Sequence, residues 1–241
     1  MADTKTIYRH SAVTRVLHWL NALCVFLVLM SGLQIFNAHP RLYWGEYGAN
    51  ADTPFIQISH RTPGEKAFPA WATIPGWQDL AGGRRWHFFF AWLLVCNSVL
   101  YLLVSFANGH VRRDLMPRRA EMAPRQIARD FWNHLRLRFP AGEAARHYNV
   151  LQKLAYLGVI FVLAPMMLLT GLTMSPGINA AAPWLLDLFG GRQSARTLHF
   201  LTAMLIAAFI LVHLVMVLLA GPVNELRSMI TGRYVLRDRS E

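Results

Sequence analysis

Acidic side chains and cysteines are the scarce residues of this chain. Only 13 of its 241 residues are Asp or Glu, and none lies in any of its four longest apolar runs. A proton relay across a membrane wants carboxylates among its polar groups, so those runs are poorly equipped for one. The two cysteines, Cys24 and Cys96, fall in different runs and read as small packing residues. There is no CxxC pair, no CxxCH sequence for covalent haem attachment and no zinc-type cysteine spacing. Charge is sparse as well, at 15% against 54% hydrophobic residues, which is too apolar for an ordinary soluble domain.

What is present is long and greasy. Four runs reach the roughly 20 apolar residues that a bilayer crossing needs: about 16–36, 86–106, 154–173 and 198–220. In lipid each must be helical, because only a helix satisfies its own backbone there. The expected fold is all-α: one membrane four-helix bundle over residues 1–241, its third helix starting near 150. Pro165 predicts a break in regular bonding near residue 161. The first run follows Lys5, Arg9 and Arg15 but is too long for a signal-peptide core, so it reads as a retained helix.

The net charge is +11. Its basic residues alternate with apolar runs, so lipid headgroups are the expected partner and nucleic acid is not. Segments 1–15, 107–153 and 221–241 hold seventeen Lys and Arg, against seven in 37–85 and 172–197. The positive-inside rule then puts both termini in the cytoplasm. Residues 37–85 become a long outer loop and 107–149 a cytoplasmic one. The outer loop is rich in aromatics and interrupted by Pro54, Pro63, Pro69 and Pro75, so it is not helical; it docks a partner or caps the bundle. In the cytoplasmic loop, Ile127, Phe131, Leu135 and Phe139 recur every four residues, with Arg125, Arg129, Arg136 and Arg138 largely off that line. That pattern predicts a helix lying on the inner membrane face. Residues 182–189 predict a short interfacial helix.

Ten histidines are present, and His18, His87, His199 and His213 lie inside the runs. His10, His39, His60, His110, His134 and His147 lie in loops or at helix edges. His199 and His213 are fourteen residues apart, which is within about 40° of four whole turns, so they share one helix face. At helical rise they stand about 21 Å apart, too far to bind one metal. By depth, His87 pairs with His199 near the outer surface and His18 with His213 near the inner one. Two imidazoles from facing helices are what a six-coordinate haem iron needs, whereas zinc would want three or four ligands at one depth. Arg15 near the inner pair, and Arg84, Arg85 and Arg196 near the outer one, are either partners for haem propionates or interfacial anchors.

The segments RVLHWLNA at 15–22, RRWHFFFAW at 84–92 and the H-x13-H of the fourth run resemble the bacterial di-haem cytochrome b superfamily. That group includes bacterial cytochrome b561, the b-type cytochromes of nickel–iron hydrogenases, the gamma subunit of formate dehydrogenase-N and thiosulfate reductase cytochrome b. The resemblance covers about residues 8–233. It implies two b-type haems, held by His87 with His199 and by His18 with His213, and electron exchange between a quinone pool and a periplasmic redox enzyme. YNVLQK at 148–153 resembles the quinone-lining stretch of the formate dehydrogenase gamma subunit. That likeness makes Asn149 and Gln152 candidate hydrogen-bond partners of a ubiquinone or menaquinone carbonyl. Lys153 would assist proton uptake or snorkel. A different expectation within the group is a stand-alone superoxide:quinone oxidoreductase with a basic pocket at the outer haem.

Overall fold

The computed structural model describes residues 4–49, 51–58, 66–136 and 149–237. Four helices are long and apolar enough to cross a membrane: α1 (Ala12–Asn37), α2 (Leu80–Ala107), α4 (Val150–Thr173) and α7 (Arg192–Ala220). Between and beyond them lie α3 (Pro124–Leu135), α5 (Pro176–Ala181), α6 (Trp184–Leu188) and α8 (Pro222–Thr231). A short helix is expected at 182–189, and α6 lies there.

The spanning helices start earlier than hydropathy alone sets them. At α1 the Ser11 hydroxyl accepts the Thr14 N–H at 3.2 Å, and at α2 the Asp79 carboxylate accepts the Gly82 N–H at 2.8 Å. These caps satisfy donors that a helix leaves open at its start. One consequence corrects the loop boundary. Arg84, Arg85 and Arg196, expected at helix edges, lie within the first turns of α2 and α7.

In α4 a π turn over Val159–Leu163 separates two α segments. Pro165 follows it, and a proline cannot supply the N–H that would close the preceding turn. A second π turn, Val111–Leu115, follows α2. Helix α3 ends at Leu135, short of the 139 expected from the four-residue stripe; Arg138 and Phe139 lie outside the described residues. Phe131 and Trp132 are both exposed on it.

By packing the chain forms two units, to which all four spanning helices contribute. The first comprises Met1–Trp19, Val99–Val162 and Ile206–Glu241. Here β1 (Thr4–Tyr8) pairs antiparallel with β4 (Arg233–Arg237), a ribbon the all-α expectation did not contain. Trp19 Nε1 donates to the Met229 carbonyl at 2.9 Å and fastens α1 to α8.

The second unit comprises Leu20–Ser98 and Leu163–Leu205. The connection between α1 and α2 is tied down by polar side chains of the helices. Gln34 donates to the Trp77 carbonyl at 2.6 Å, and the Asn37 amide bonds Phe68 at both its carbonyl and its N–H. Thr197 donates to the Tyr43 carbonyl at 2.7 Å, and Ser194 accepts the Gly45 N–H at 2.7 Å. The Gly45 carbonyl in turn accepts the Gln193 and Ser194 N–H groups. Gly191 allows this approach: its φ is +102°, and a Cβ there would stand 2.7 Å from the Gly45 backbone. Within this connection β2 (Arg41–Leu42) pairs with β3 (Ile56–Gln57).

Burial is inverted relative to a soluble protein. Ser31, Thr170, Thr173, Thr197 and Thr202 are buried, while Phe89, Leu103, Leu211 and Leu218 are exposed. Lipid gives helices no hydrophobic reason to associate, so small residues and hydrogen bonds make the contacts.

Candidate functional site

Two histidine pairs are brought together, one within each unit. In the first unit the His18 and His213 rings have centroids 6.4 Å apart, with planes at 63°. In the second, His87 and His199 lie 6.2 Å apart at 65°. Two metal–imidazole bonds of about 2 Å on one axis, with a ring radius of about 1.2 Å at each end, put the centroids about 6.4 Å apart. Both pairs lie close to that span, so each is spaced for two imidazoles to share one metal atom.

The surroundings of the second pair fit such a role. His87 Nδ1 lies 3.1 Å from the Val28 carbonyl and 3.3 Å from the Ser31 hydroxyl. His199 Nδ1 lies 3.0 Å from the Thr170 hydroxyl, and the ring also bonds the Met167 carbonyl. A carbonyl cannot donate, so His87 Nδ1 carries its hydrogen; the Thr170 hydroxyl gives its own proton to the Met166 carbonyl, so His199 Nδ1 donates to it, and each Nε2 keeps a free lone pair. Glycines stand against both rings. A Cβ at Gly32 would come within 3.4 Å of His87 Cε1, and one at Gly171 within 3.3 Å of His199 Cε1. Phe36 and Phe200 stack at 4.5 Å in the same unit. At the first pair, Phe209 stacks on His213 at 6.2 Å and Trp19 meets His18 edge-on.

The arginines divide by what they already hold. Arg196 donates to the carbonyls of His39 and Arg41, so it acts as a clamp on the α1–α2 connection. Burial, then the charges of Arg196 and Arg41, holds the nearby His39 imidazole below its ordinary pKa. Arg15 donates one Nη to the Ile230 carbonyl, while its buried Nε has no partner among the described residues. A carboxylate beside it would satisfy that atom. Arg84 and Arg85 are exposed on α2, and Arg84 lies over the Phe88 ring at 5.7 Å.

At the start of α4, Asn149 and Gln152 form a reciprocal capping box: Asn149 Oδ1 accepts the Gln152 N–H at 2.9 Å, and Gln152 Oε1 accepts the Asn149 N–H at 3.3 Å. Their side chains are helix caps before they are anything else. Lys153 does not snorkel. It is buried and paired with Glu121 at 2.8 Å. Burial pushes the Glu121 carboxyl up, but the hydrogen bonds from Lys153 and the Arg118 N–H, with both positive charges, outweigh it and hold the group below the ordinary range. The candidates Tyr148, His60 and His147 lie outside the described residues, as does the His134 side chain.

Sequence reasoning missed Ser31, Gly32, Thr170, Gly171 and Glu121. A signal for the first four was available: MSGL at 30–33 and LTGL at 169–172 repeat one pattern in two spanning helices. Nothing local marks Glu121 as the partner of a lysine 32 residues away.

The chain matches the prokaryotic cytochrome b561 family over residues 9–232. It is 31% identical over 230 residues, 95% of this chain and 99% of the relative, to an Azospira oryzae protein described as "Putative protein-methionine-sulfoxide reductase subunit YedZ1". It is 22% identical to the "Probable Ni/Fe-hydrogenase B-type cytochrome subunit" of Cupriavidus necator, across 97% of this chain and 89% of that one. The chain therefore belongs to the prokaryotic cytochrome b561 family: multi-pass bacterial membrane proteins that carry haem b and transfer electrons.

Proposed function

We propose that this chain is a two-haem b-type cytochrome that passes electrons between the membrane quinone pool and a periplasmic redox enzyme. The observation that carries the reading is the pair of ring separations, 6.2 and 6.4 Å, each fitting one axially bound iron. Haem supplies one-electron chemistry that the polypeptide lacks. The chain supplies the ligands: His87 and His199 for one haem, His18 and His213 for the other. The Val28 and Met167 carbonyls hold the first two rings with Nε2 available. Its Nε, buried with no partner among the described residues, makes Arg15 the candidate for a propionate at the His18/His213 haem. At the other haem, Arg85 and Arg84 take that role in preference to Arg196, which is committed to backbone carbonyls.

The charge count supports cytoplasmic termini and an inner-membrane location, with the 38–79 connection in the periplasm. Both relatives are described as subunits of redox enzymes, which supports an enzyme partner on that side. Ubiquinone or menaquinone would exchange at the cytoplasmic side, near the start of α4. There the Lys153–Glu121 pair offers a proton-carrying group beside Asn149 and Gln152. Electrons from the periplasm meeting protons from the cytoplasm would then charge the membrane.

The test is haem stoichiometry with redox titration of the purified protein, with and without a quinol. Two b-type haems per chain, both reduced by quinol, are expected. A reduced-minus-oxidised spectrum without a b-type α-band overturns the reading. Rapid superoxide-driven quinone reduction by the isolated chain would instead favour the stand-alone oxidoreductase.

A further inference from the structure

Two segments far apart in the chain carry one device. Ser31-Gly32-Leu33 in α1 and Thr170-Gly171-Leu172 in α4 each present a hydroxyl, then a glycine, to a histidine of another helix. Both hydroxyl residues are fully buried. Each hydroxyl commits its single proton to the carbonyl four residues back, Leu27 at 2.7 Å and Met166 at 2.6 Å. Its oxygen is then an acceptor for the imidazole N–H, 3.3 Å away at His87 and 3.0 Å at His199. The Val28 carbonyl shares that N–H at His87, and the Met167 carbonyl also bonds the His199 ring. The glycine that follows lies directly against the ring, where a Cβ would stand 3.4 Å from His87 Cε1 and 3.3 Å from His199 Cε1. Two unlike helices have thus arrived at the same three-part socket for an imidazole.

We infer that Ser31 and Thr170 are matched positioning residues that tune the His87/His199 haem; this rests on the two-haem reading above. By accepting from Nδ1–H beside the carbonyl, each hydroxyl adds a second acceptor to the one that already holds its histidine's tautomer and ring orientation. It also leaves more electron density at Nε2, because a hydrogen bond from the far nitrogen raises ligand basicity. A more basic ligand pair favours ferric over ferrous iron. The two hydroxyls therefore hold the midpoint potential of this haem below the value it would have without them.

The test is potentiometric titration with low-temperature EPR on the purified holoprotein, the two haems being assigned with a His87→Ala variant. Ser31→Ala and Thr170→Val should each move the His87/His199 haem to a more positive midpoint potential and change its low-spin g-values, with the other haem unmoved. Ser31→Thr and Thr170→Ser, which only exchange one hydroxyl for the other, should restore wild-type values. A purely structural role would lower yield or thermal stability without shifting one haem alone. If the first variants fail to assemble, Ser31→Cys and Thr170→Cys keep the size and weaken the acceptor, and the same positive shift is required of them. Wild-type potentials and g-values in haem-replete variants overturn this inference and leave the two-haem reading standing. A wild-type protein without b-type haem overturns that reading instead.

Discussion

His18 and His213 stand 195 positions apart in the chain, yet their rings face each other with centroids 6.4 Å apart. The apolar run at 16–36 leaves His18 only two residues from its start. Because α1 begins at Ala12, His18 lies well inside a continuous helix instead of at its edge. The first prediction is therefore a clean split of cofactor content. His18→Ala or His213→Ala should leave about one haem per chain, held by the other pair, and His87→Ala or His199→Ala should do the converse. Pyridine haemochrome assay with EPR counts them. Complete haem retention in all four variants would refute the pairing.

Lys153 is buried against Glu121, so breaking the pair from one side strands a charge. Glu121→Gln should cost about 3 kcal/mol of stability in the first unit. The double variant Glu121→Gln with Lys153→Met should recover most of that loss, because no buried ammonium remains. Thermal unfolding in detergent compares the three proteins.

The same pair gives a pH dependence. The Glu121 carboxyl is depressed in the folded protein, so its unfolded form binds a proton first as pH falls. Its stabilisation is fully present above the ordinary carboxylate range and is lost as pH drops through the depressed value. Melting temperature should therefore fall more steeply with acid in the wild type than in the double variant.

Asn149 caps α4, and an aspartate caps as well as an asparagine does. Asn149→Ala should cost about 1 kcal/mol through the lost cap. Asn149→Asp should keep the helix start while removing the amide donor. A raised KM for quinol in Asn149→Asp, with unchanged thermal stability, would support quinone contact there; wild-type kinetics would make Asn149 a cap alone.

Arg196 fixes the chain after α1 through the carbonyls of His39 and Arg41. Arg196→Ala removes two charge-assisted hydrogen bonds, each worth about 1.5–3 kcal/mol where buried. The 38–79 connection should become more sensitive to protease, while the protein keeps both haems. Loss of the His87/His199 haem would instead restore Arg196 as a propionate partner.

Much of this protein is determined by sequence alone. Lipid tolerates no unsatisfied backbone, so four long apolar runs had to be four helices, and Pro165 had to disturb the third. The fourteen-residue interval puts His199 and His213 on one face by helical arithmetic. What depended on tertiary structure was every contact between distant segments. No local pattern says that Arg196 reaches back to carbonyls at 39 and 41, or that Glu121 meets Lys153. The sockets of Ser31 and Thr170 form only where another helix delivers an imidazole. Helix periodicity specifies which residues share a face; which partner meets that face is a property of packing, and here packing turned four scattered histidines into two close pairs.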